Sequence, residues 1–324
     1  MRQRSVLVTG GQGYLGSVVG AALTGGGSRV TVVDNGRFSD VRTEQSGVDY
    51  LSADVRDVSD WQRVLSGVDA VVHLAAVVGD PACSVDENLA WETNYLGTIR
   101  VAEACRRAGV GRLVFASTCS TYGVADEEEV DIWSPLNPQS VYARSKVLAE
   151  HYLLSPHQDG PRPCILRFAT LHGLSPRMRF DLAVNVMTAD AVRDGLVTVH
   201  GGTQWRPFLH VRDAATAITR ALATLATGIY NCGSDAENLR MSEVARVIAQ
   251  QVPGTRVEHH PQQTDPRSYR VSFGRIGAEL SFRPKRTVAD SVREIRDAMA
   301  AGEFTDHRAP RYSNYLTAVT AAAQ

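Results

Sequence analysis

The sequence predicts an α/β protein: a doubly wound parallel sheet with a smaller mixed α/β lobe. Through the first half of the chain, short β-branched runs alternate with helix-like segments, which is the pattern of parallel strands joined by crossover helices. A glycine-rich turn follows the first strand-like run, as expected at the first crossover of such a sheet. Beyond about residue 171 the alternation weakens, and we expect a second lobe to begin there.

Composition and charge narrow the class of protein. The chain has 324 residues, enough for two domains, and its hydrophobic fraction of 44% and charged fraction of 21% are those of a globular protein. A net charge of −1 without a basic stripe argues against nucleic acid or an anionic membrane as a partner. No apolar run approaches the ~18 residues that span a bilayer, and the N-terminus lacks the apolar region of a signal peptide. We expect a cytoplasmic protein.

Cysteine and histidine spacing argues against disulfides and metals. The five cysteines are scattered, and no two form a Cys-x-x-Cys pair, so neither a disulfide framework nor a zinc site is indicated. The nine histidines show no metal-ligand spacing. We therefore expect no bound metal.

The glycine-rich turn carries Gly10, Gly13 and Gly16 between a strand-like run and a helix-like segment. Glycines at such a turn let the backbone approach a pyrophosphate, while the helix N-terminus supplies N–H donors and a partial positive charge. Asp34 closes the next strand, 18 positions beyond the last glycine. This context favours a dinucleotide-binding turn over a purely structural one, and with it a Rossmann-type sheet.

Asp34 favours NAD over NADP as the cofactor. Its carboxylate could accept hydrogen bonds from the adenosine ribose and would repel a 2′-phosphate, although the nearby Arg37 keeps NADP as the alternative. Asp54, at the end of the third strand, could meet the adenine amino group. The fourth strand, residues 70–76, ends in small residues that would let the dinucleotide cross the sheet edge. His73 within that strand is expected to be a core histidine rather than a catalyst.

Thr118, Tyr142 and Lys146 form a candidate reaction site. Tyr142 and Lys146 are four residues apart, so on a helix they project from one face. An ammonium held near a phenol lowers the phenol pKa from about 10 toward working pH, and such a tyrosine could take a proton from a hydroxyl or return one to a carbonyl. Chance spacing on an exposed helix is the alternative. Thr118 ends the fifth strand, where a doubly wound sheet places its ligand crevice, and this favours the reaction site.

These motifs together resemble the extended short-chain dehydrogenase/reductase family, in its nucleotide-sugar epimerase and dehydratase branch. The resemblance covers nearly the whole chain, and its motifs are the turn at 9–16, Asp54-Val55, the segment 73–76, Thr118 four before Tyr122-Gly123, Tyr142-x-x-x-Lys146, and the segment 206–211. It implies that Tyr142 is the acid/base and that Lys146 holds the nicotinamide ribose. Thr118 would hydrogen-bond the reacting oxygen, and Asn94 would be a structural partner in the same site.

The resemblance also assigns ligand contacts. Arg206 matches a position that grips a nucleotide diphosphate, and Arg267 is either a second diphosphate ligand or a surface charge. The block 174–185 resembles a subgroup acting on heptose and other less common nucleotide sugars; it either lines the substrate pocket or only joins the two lobes. The residues expected to bind cofactor are Gly10, Gly13, Tyr14, Leu15, Gly16, Asp34, Asn35, Asp54, Val55, Leu74, Ala75, Ala76, Tyr142 and Lys146. The residues expected to bind substrate are Thr118, Cys119, Thr170, Arg177, Arg179, Asn185, Arg206 and Arg267.

Two departures from the family's patterns narrow the reaction. Sugar-nucleotide 4,6-dehydratases carry Asp-Glu directly after the active-site threonine, whereas Cys119-Ser120 stands here, which argues against dehydration. Thr170 stands where the family's epimerases often have Asn, which counts against an ordinary UDP-galactose 4-epimerase. The leading hypothesis is an NAD-dependent epimerase that oxidises and re-reduces a nucleotide-sugar hydroxyl at C4. The alternatives are a net-redox keto-sugar reductase or dehydrogenase, including one for an aminoglycoside or another secondary-metabolite sugar, and a non-catalytic NAD-binding regulator.

The expected domain division follows from these assignments. Residues 1–171 are expected to form the NAD-binding domain, to which residues of about 205–230 return. Residues 172–324 are expected to form mainly the substrate-binding lobe. A loop is expected over 80–83 and a long amphipathic helix over 86–108. The resemblance also implies a homodimer built through two helices, near 86–108 and 140–155.

Overall fold

The computed structural model describes residues 3–38, 45–125, 129–155, 160–262, 265 and 267–323. Its strands are β1 (Ser5–Thr9), β2 (Arg29–Asp34), β3 (Val48–Ser52), β4 (Ala70–His73), β5 (Arg112–Thr118), β6 (Arg162–Phe168), β7 (Thr170–His172), β8 (Leu196–His200), β9 (Trp205–His210), β10 (Gly228–Cys232), β11 (Asn238–Arg240) and β12 (Arg256–His260). Its helices are α1 (Tyr14–Gly25), α2 (Asp80–Val85), α3 (Glu87–Trp91), α4 (Gly97–Ala108), α5 (Val141–Leu154), α6 (Ala183–Asp194), α7 (Val211–Ala223), α8 (Met241–Gln251), α9 (Gly274–Leu280), α10 (Val288–Ala300) and α11 (Asn314–Ala322). Within these ranges no helix is long and apolar enough to cross a membrane.

Seven strands form one parallel sheet, in the order β10-β6-β5-β4-β1-β2-β3. The chain begins in the middle of the sheet at β1, winds outward to β3 on one side, and then returns to wind outward from β4 on the other. The strand order therefore reverses between β1 and β4. Such a switch point opens the crevice in which open α/β sheets bind their ligands. This topology confirms the predicted doubly wound sheet.

Helices cover both faces of this sheet, and the side-chain alternation within β1 gives the reason. Val6 points into a core that includes Val19 of α1. The next residue, Leu7, points into the opposite core, which includes Val101 of α4. Because neighbouring strand residues face opposite sides, a strand that is apolar throughout needs helices on both sides.

A smaller region carries the remaining strands in two sheets, β11-β9-β7 and β12-β8. The first of these is mixed, since β9 is antiparallel to β11 and parallel to β7. Helices α6, α8 and α10 pack on these strands around Val184, Val244 and Val292. This region confirms the smaller mixed α/β lobe of the predicted fold class. The chain also places β10 in the main sheet, where it pairs with β6.

Two local predictions differ from the structure. The loop expected over 80–83 is wrong, because these residues begin α2 with Asp80 and Pro81 in its first turn, where both residue types are favoured. The single long helix expected over 86–108 is divided, because a π turn at Glu92–Leu96 separates α3 from α4. Asn94 lies in this turn and is fully buried. Single π turns of this kind occur frequently at functional sites.

Candidate active site

The turn between β1 and α1 is shaped so that only glycine fits at two of its positions. Gly10 has a φ of +72°, and a Cβ added there would lie 2.6 Å from the backbone nitrogen of Ala75. A Cβ added at Gly16 would collide with the carbonyl oxygen of Gly10. The turn thus brings the N-terminus of α1 close to the end of β4. Backbone N–H groups at such an N-terminus form an anion site.

One cavity runs over the C-terminal ends of the parallel strands, starting at this turn. The predicted cofactor residues that line it are Gly10, Gly13, Tyr14, Leu15, Gly16, Asp34, Asn35, Val55, Leu74, Ala75, Ala76, Tyr142 and Lys146. Of the predicted substrate residues, it is lined by Thr118, Thr170, Arg177 and Arg179. The structure therefore brings the glycine turn and the proposed reaction site into one continuous space.

Asp34 and Asp54, which were both expected to contact the cofactor, have different surroundings. The Asp34 carboxylate accepts hydrogen bonds from the backbone N–H groups of Gln12 (3.0 Å) and Gly36 (2.9 Å). Burial raises the pKa of Asp34, and these two hydrogen bonds oppose that rise. Asp54 does not line the cavity; it accepts hydrogen bonds from the Arg56 guanidinium and from the Asn35 amide. The structure gives Asp54 the role of holding Asn35 at the cavity wall instead of a cavity contact.

Thr118 and Tyr142 meet at the opposite end of the cavity. Their side chains are hydrogen-bonded to each other, and this bond opposes the rise that burial causes in the pKa of Tyr142. Tyr142 lies in the first turn of α5, a helix capped by the Ser140 hydroxyl, which accepts from the Ala143 N–H at 3.1 Å. Lys146 follows one turn later, and its amine donates to the carbonyl of Ala116 at 2.9 Å.

The expectation that Lys146 lowers the Tyr142 pKa is wrong for the protein alone. Although part of Tyr142 faces the cavity, protein encloses its phenol so closely that burial raises the pKa, and Cys83 and Asp80 raise it further. Burial also lowers the pKa of Lys146 to about 8. The physical reason for the difference is burial of the phenol, which residue spacing does not record; the Lys146 amine itself donates to the carbonyl of Ala116 in β5.

A buried ion pair that the sequence did not reveal lies behind Lys146. Glu150, one turn further along α5, accepts from the Arg167 guanidinium at 2.7 and 3.1 Å and also from the Ser117 hydroxyl. Arg167 in turn donates to the Tyr122 hydroxyl at 3.0 Å. This network fixes α5 to the ends of β5 and β6. The repeated spacing of four from Tyr142 through Lys146 to Glu150 was a signal that could have indicated it.

Asn94 and His73 hold the segment that follows β4. The Asn94 amide accepts from the backbone N–H of Val77 at 2.8 Å and donates to its carbonyl at 2.9 Å. His73 bonds Thr9 at 2.6 Å and Thr98 at 3.0 Å. Burial lowers the His73 pKa to about 3. His73 is therefore a neutral core histidine, as predicted.

Cys119 does not contact the cavity, which corrects its predicted role in substrate binding. Its side chain is buried, and its thiol donates to the carbonyl of Arg167 at 3.1 Å. The chain turns into a short 3₁₀ segment after β5, and this rotation brings Ser120 to the cavity wall instead. The prediction selected Cys119 of this dipeptide, whereas Ser120 is the residue that faces the ligand space.

The block 174–185 divides between cavity wall and scaffold. Arg177 lines the cavity and donates to the carbonyl of Phe38 at 2.8 Å. Arg179 also lines it and pairs with Asp181 at 2.9 Å. Asn185 does not line it, because its amide is fully buried against the Gly173 N–H, the Tyr14 hydroxyl and the Arg179 carbonyl. The prediction that Asn185 faces substrate is wrong.

Arg206 and Arg267 lie together but outside this cavity. Both pair with Asp265, at 2.7 and 2.6 Å respectively, and Arg267 also pairs with Asp80 at the start of α2. Neither arginine lines the cavity wall. Both guanidinium groups are thus paired with carboxylates in the structure, and their contact with a nucleotide diphosphate stays a prediction.

Asn314, at the start of α11, lines the cavity from a part of the chain in which the sequence showed little pattern. No group of three or more His, Cys, Asp or Glu side chains that could hold a metal ion occurs in the described part of the chain.

Comparison with known proteins decides the family. The family model described as the NAD-dependent epimerase/dehydratase family matches residues 6–233. The chain belongs to this family. It is 29% identical to a UDP-glucose 4-epimerase of Azospirillum brasilense over 91% of each chain, and 28% identical to a dTDP-glucose 4,6-dehydratase of Streptomyces niveus over 89% of this chain and 90% of the other. It also superposes on the UDP-glucose 4-epimerase of Thermus thermophilus, solved in complex with NAD, with a TM-score of 0.79 at 29% identity, covering 91% of this chain and 99% of that one.

Membership of this epimerase/dehydratase family confirms the predicted resemblance, the enzyme class and NAD as the cofactor. The site itself fits NAD. The glycine turn leaves the close approach that a pyrophosphate needs, and the Asp34 carboxylate lies on the cavity wall where the ribose of an adenosine would meet it. The relatives include both epimerases and dehydratases, so the family alone leaves the reaction to be argued from the site.

Proposed function

We propose that the protein is an NAD-dependent nucleotide-sugar epimerase that oxidises and re-reduces one sugar hydroxyl, at C4. The observation that carries this proposal is the chemistry of the cavity wall around Thr118. Among the described residues that line the cavity, Asp34 is the one carboxylate, and it lies at the glycine-turn end. Elimination of water needs an acid and a base beside the sugar, and Ser120 and the buried Cys119 supply neither. Reversible oxidation needs only a proton acceptor, for which Tyr142 is placed.

The roles of the chain's own residues follow from their positions. NAD, when bound, supplies the hydride acceptor. Tyr142 takes the proton of the reacting hydroxyl and returns it after the sugar has turned, and Thr118 orients the same oxygen. Lys146, whose amine is held by the carbonyl of Ala116, contributes a positive charge beside the nicotinamide ribose. Arg177 and Arg179 bring two further positive charges to the wall, where they would attract phosphate groups.

Tyr142→Phe tests the catalytic assignment. Loss of a general acid/base reduces turnover by about 10²- to 10⁴-fold, and we expect such a loss while NAD remains bound. UDP- and dTDP-linked hexoses are the substrates to screen. The matched control is Tyr152→Phe on the same helix, because the Tyr152 hydroxyl contacts Glu103 and not the cavity. Full activity of Tyr142→Phe would contradict the assignment.

Absorbance of reduced nicotinamide separates the alternatives. An epimerase converts substrate with catalytic NAD and no net absorbance change. A keto-sugar reductase or dehydrogenase, including one for an aminoglycoside or another secondary-metabolite sugar, changes the absorbance in proportion to substrate. Binding of NAD without turnover of any sugar would favour the third alternative, a non-catalytic NAD-binding regulator.

We also propose the domain division and a homodimer. The NAD-binding domain would comprise residues 1–171 with the returning segment of about 205–230, and residues 172–324 would form mainly the substrate lobe. The dimer would form through the helices near 86–108 and 140–155. In support, Leu96 and Leu148 are 39% and 41% exposed on these two neighbouring helical segments, which leaves apolar surface there for a contact with a second copy.

A further inference from the structure

The C-terminal segment is fixed against the block 174–185 at the cavity wall. The carbonyl of Tyr312 accepts from the Phe180 N–H at 2.8 Å. The Phe180 ring also packs edge-on against Phe304 and Tyr312, with centroids 5.1 and 5.4 Å apart. Such contacts each contribute beyond the apolar area that they bury. The segment therefore has a defined position, and α11 begins beside the cavity.

Asp181 holds two cavity groups at once. Its carboxylate accepts from the Arg179 guanidinium at 2.9 and 3.0 Å and from the backbone N–H of Asn314 at 2.9 Å. Although burial raises the pKa of Asp181, Arg179 and these hydrogen bonds lower it below its ordinary value. Asp181 is therefore an anion at neutral pH, and it fixes both Arg179 and the start of α11.

The Asn314 side chain has one satisfied and one unsatisfied end. Asn314 is 5% exposed and lines the cavity. Its amide nitrogen donates to the carbonyl of Val78 at 3.2 Å. The reverse orientation would set two carbonyl oxygens against each other, so the Val78 contact fixes which end is the nitrogen. The Oδ1 atom is consequently directed away from Val78, and it is buried without a hydrogen-bond partner among the described residues. A buried acceptor in this state is unfavourable unless a bound ligand or a water molecule supplies a donor.

The location of Asn314 indicates which ligand group this is. Val78 follows the segment 74–76, whose Ala75 packs against Gly10 of the glycine turn. The pyrophosphate belongs at that turn, and the reacting oxygen belongs at Tyr142. The part of the dinucleotide that spans these two points is the ribose next to the nicotinamide, and its neutral hydrogen-bond donors are hydroxyl groups.

We propose that Asn314 binds NAD, with its Oδ1 atom accepting a hydrogen bond from a hydroxyl of the nicotinamide ribose. The inference rests on the proposed use of NAD in this cavity. It makes the C-terminal segment part of the cofactor site and adds a contact from outside the parallel sheet. Asn314, Arg179 and Asp181 then act together, since one carboxylate positions the other two groups.

Asn314→Ala tests this contact, because it removes the acceptor and leaves the backbone hydrogen bond to Asp181 in place. The matched control is Ser313→Ala, which removes the N-cap hydrogen bond to Leu316 (3.2 Å) and weakens the same helix without removing a cavity group. The NAD dissociation constant of the full chain is measured by titration. We expect it to rise about tenfold in Asn314→Ala, the equivalent of one hydrogen bond, and to stay within about twofold in the control.

The outcomes separate clearly. Equal NAD affinity in Asn314→Ala and wild type overturns the proposal. This holds also if the KM of a nucleotide sugar rises in Asn314→Ala, because the hydroxyl that donates to Oδ1 would then belong to the substrate and not to NAD. An equal loss in both variants also overturns it, because a merely structural role of α11 would explain that result. Urea unfolding without NAD measures the free energy of unfolding of Asn314→Ala, and the value for Ser313→Ala is the reference for a loss caused by a weakened α11. Failure of wild type to bind NAD would instead overturn the proposed function.

Discussion

Replacing Lys146 by Met is expected to stabilise the protein at neutral pH while abolishing turnover. The residue is 2% exposed, and burial lowers the pKa of its amine from the ordinary 10.5 to about 8. One pKa unit corresponds to about 1.4 kcal/mol, so the charged amine destabilises the folded state by roughly 3 kcal/mol at neutral pH. Methionine leaves the Ala116 carbonyl without its hydrogen bond, which costs about 1 kcal/mol. We expect a net gain of roughly 2 kcal/mol in the free energy of unfolding.

The pH dependence of this gain has a definite sign. Between about pH 8 and pH 10.5 the unfolded wild-type chain still binds a proton that the folded protein has released. The stability of the wild type therefore rises with pH across that window, because stability rises wherever the unfolded state binds more protons. Methionine does not titrate, so the stability of Lys146→Met does not share this rise. The advantage of Lys146→Met is present in full below about pH 8 and is lost toward pH 10.5.

Urea unfolding of both proteins, from neutral pH up to pH 10.5, measures the difference. NAD content is determined first, because a bound ligand stabilises the folded state by itself. Lys285 is the only other lysine in the sequence, and its side chain is exposed, so Lys285→Met is the control and should stay within about 0.5 kcal/mol of wild type. A Lys146→Met protein less stable than wild type at neutral pH, or a difference independent of pH, would refute the reasoning.

Gly16→Ala is expected to abolish NAD retention, because the added Cβ would collide with the Gly10 carbonyl; the readout is the nicotinamide content of the purified protein. Gly25→Ala is its control, since a Cβ there meets no other atom, and normal NAD content in Gly16→Ala would contradict the prediction. Leu148→Asp is expected to convert a dimer into a monomer, measured by light scattering, because a charge in the buried centre of an interface is unfavourable. Leu225→Asp, at an 83% exposed position, should leave the mass unchanged, and a monomeric wild type would count against the dimer.

The sequence predicted the parts of the site that depend on backbone pattern. Gly10 and Gly16 were predicted because a close backbone approach excludes every side chain at those positions, and only one residue type satisfies that constraint. Thr118 could be placed at a strand end because parallel strands all end at one edge of the sheet. In both cases local chain geometry determines position, so the pattern of residues is sufficient.

The residues whose side chains face the cavity could not all be predicted in the same way. A short turn after β5 buries Cys119 and brings Ser120 to the cavity wall in its place. Asn185 faces the scaffold because α6 presents it to Tyr14 and Gly173. Asn314 contacts Val78, which lies 236 positions away in the chain. Such contacts depend on how separate segments pack, which no local spacing records.

The charges around Tyr142 connect stability with catalysis. Burial disfavours a phenolate at Tyr142 and an ammonium at Lys146, so the protein alone holds the tyrosine in its protonated form. Of these two groups only Lys146 is charged at neutral pH, because its pKa is about 8. An added positive charge, such as that of an oxidised nicotinamide, would favour the phenolate. We therefore expect Tyr142, in its proposed role as the base, to lose its proton more readily when the oxidised cofactor is bound than in the protein alone.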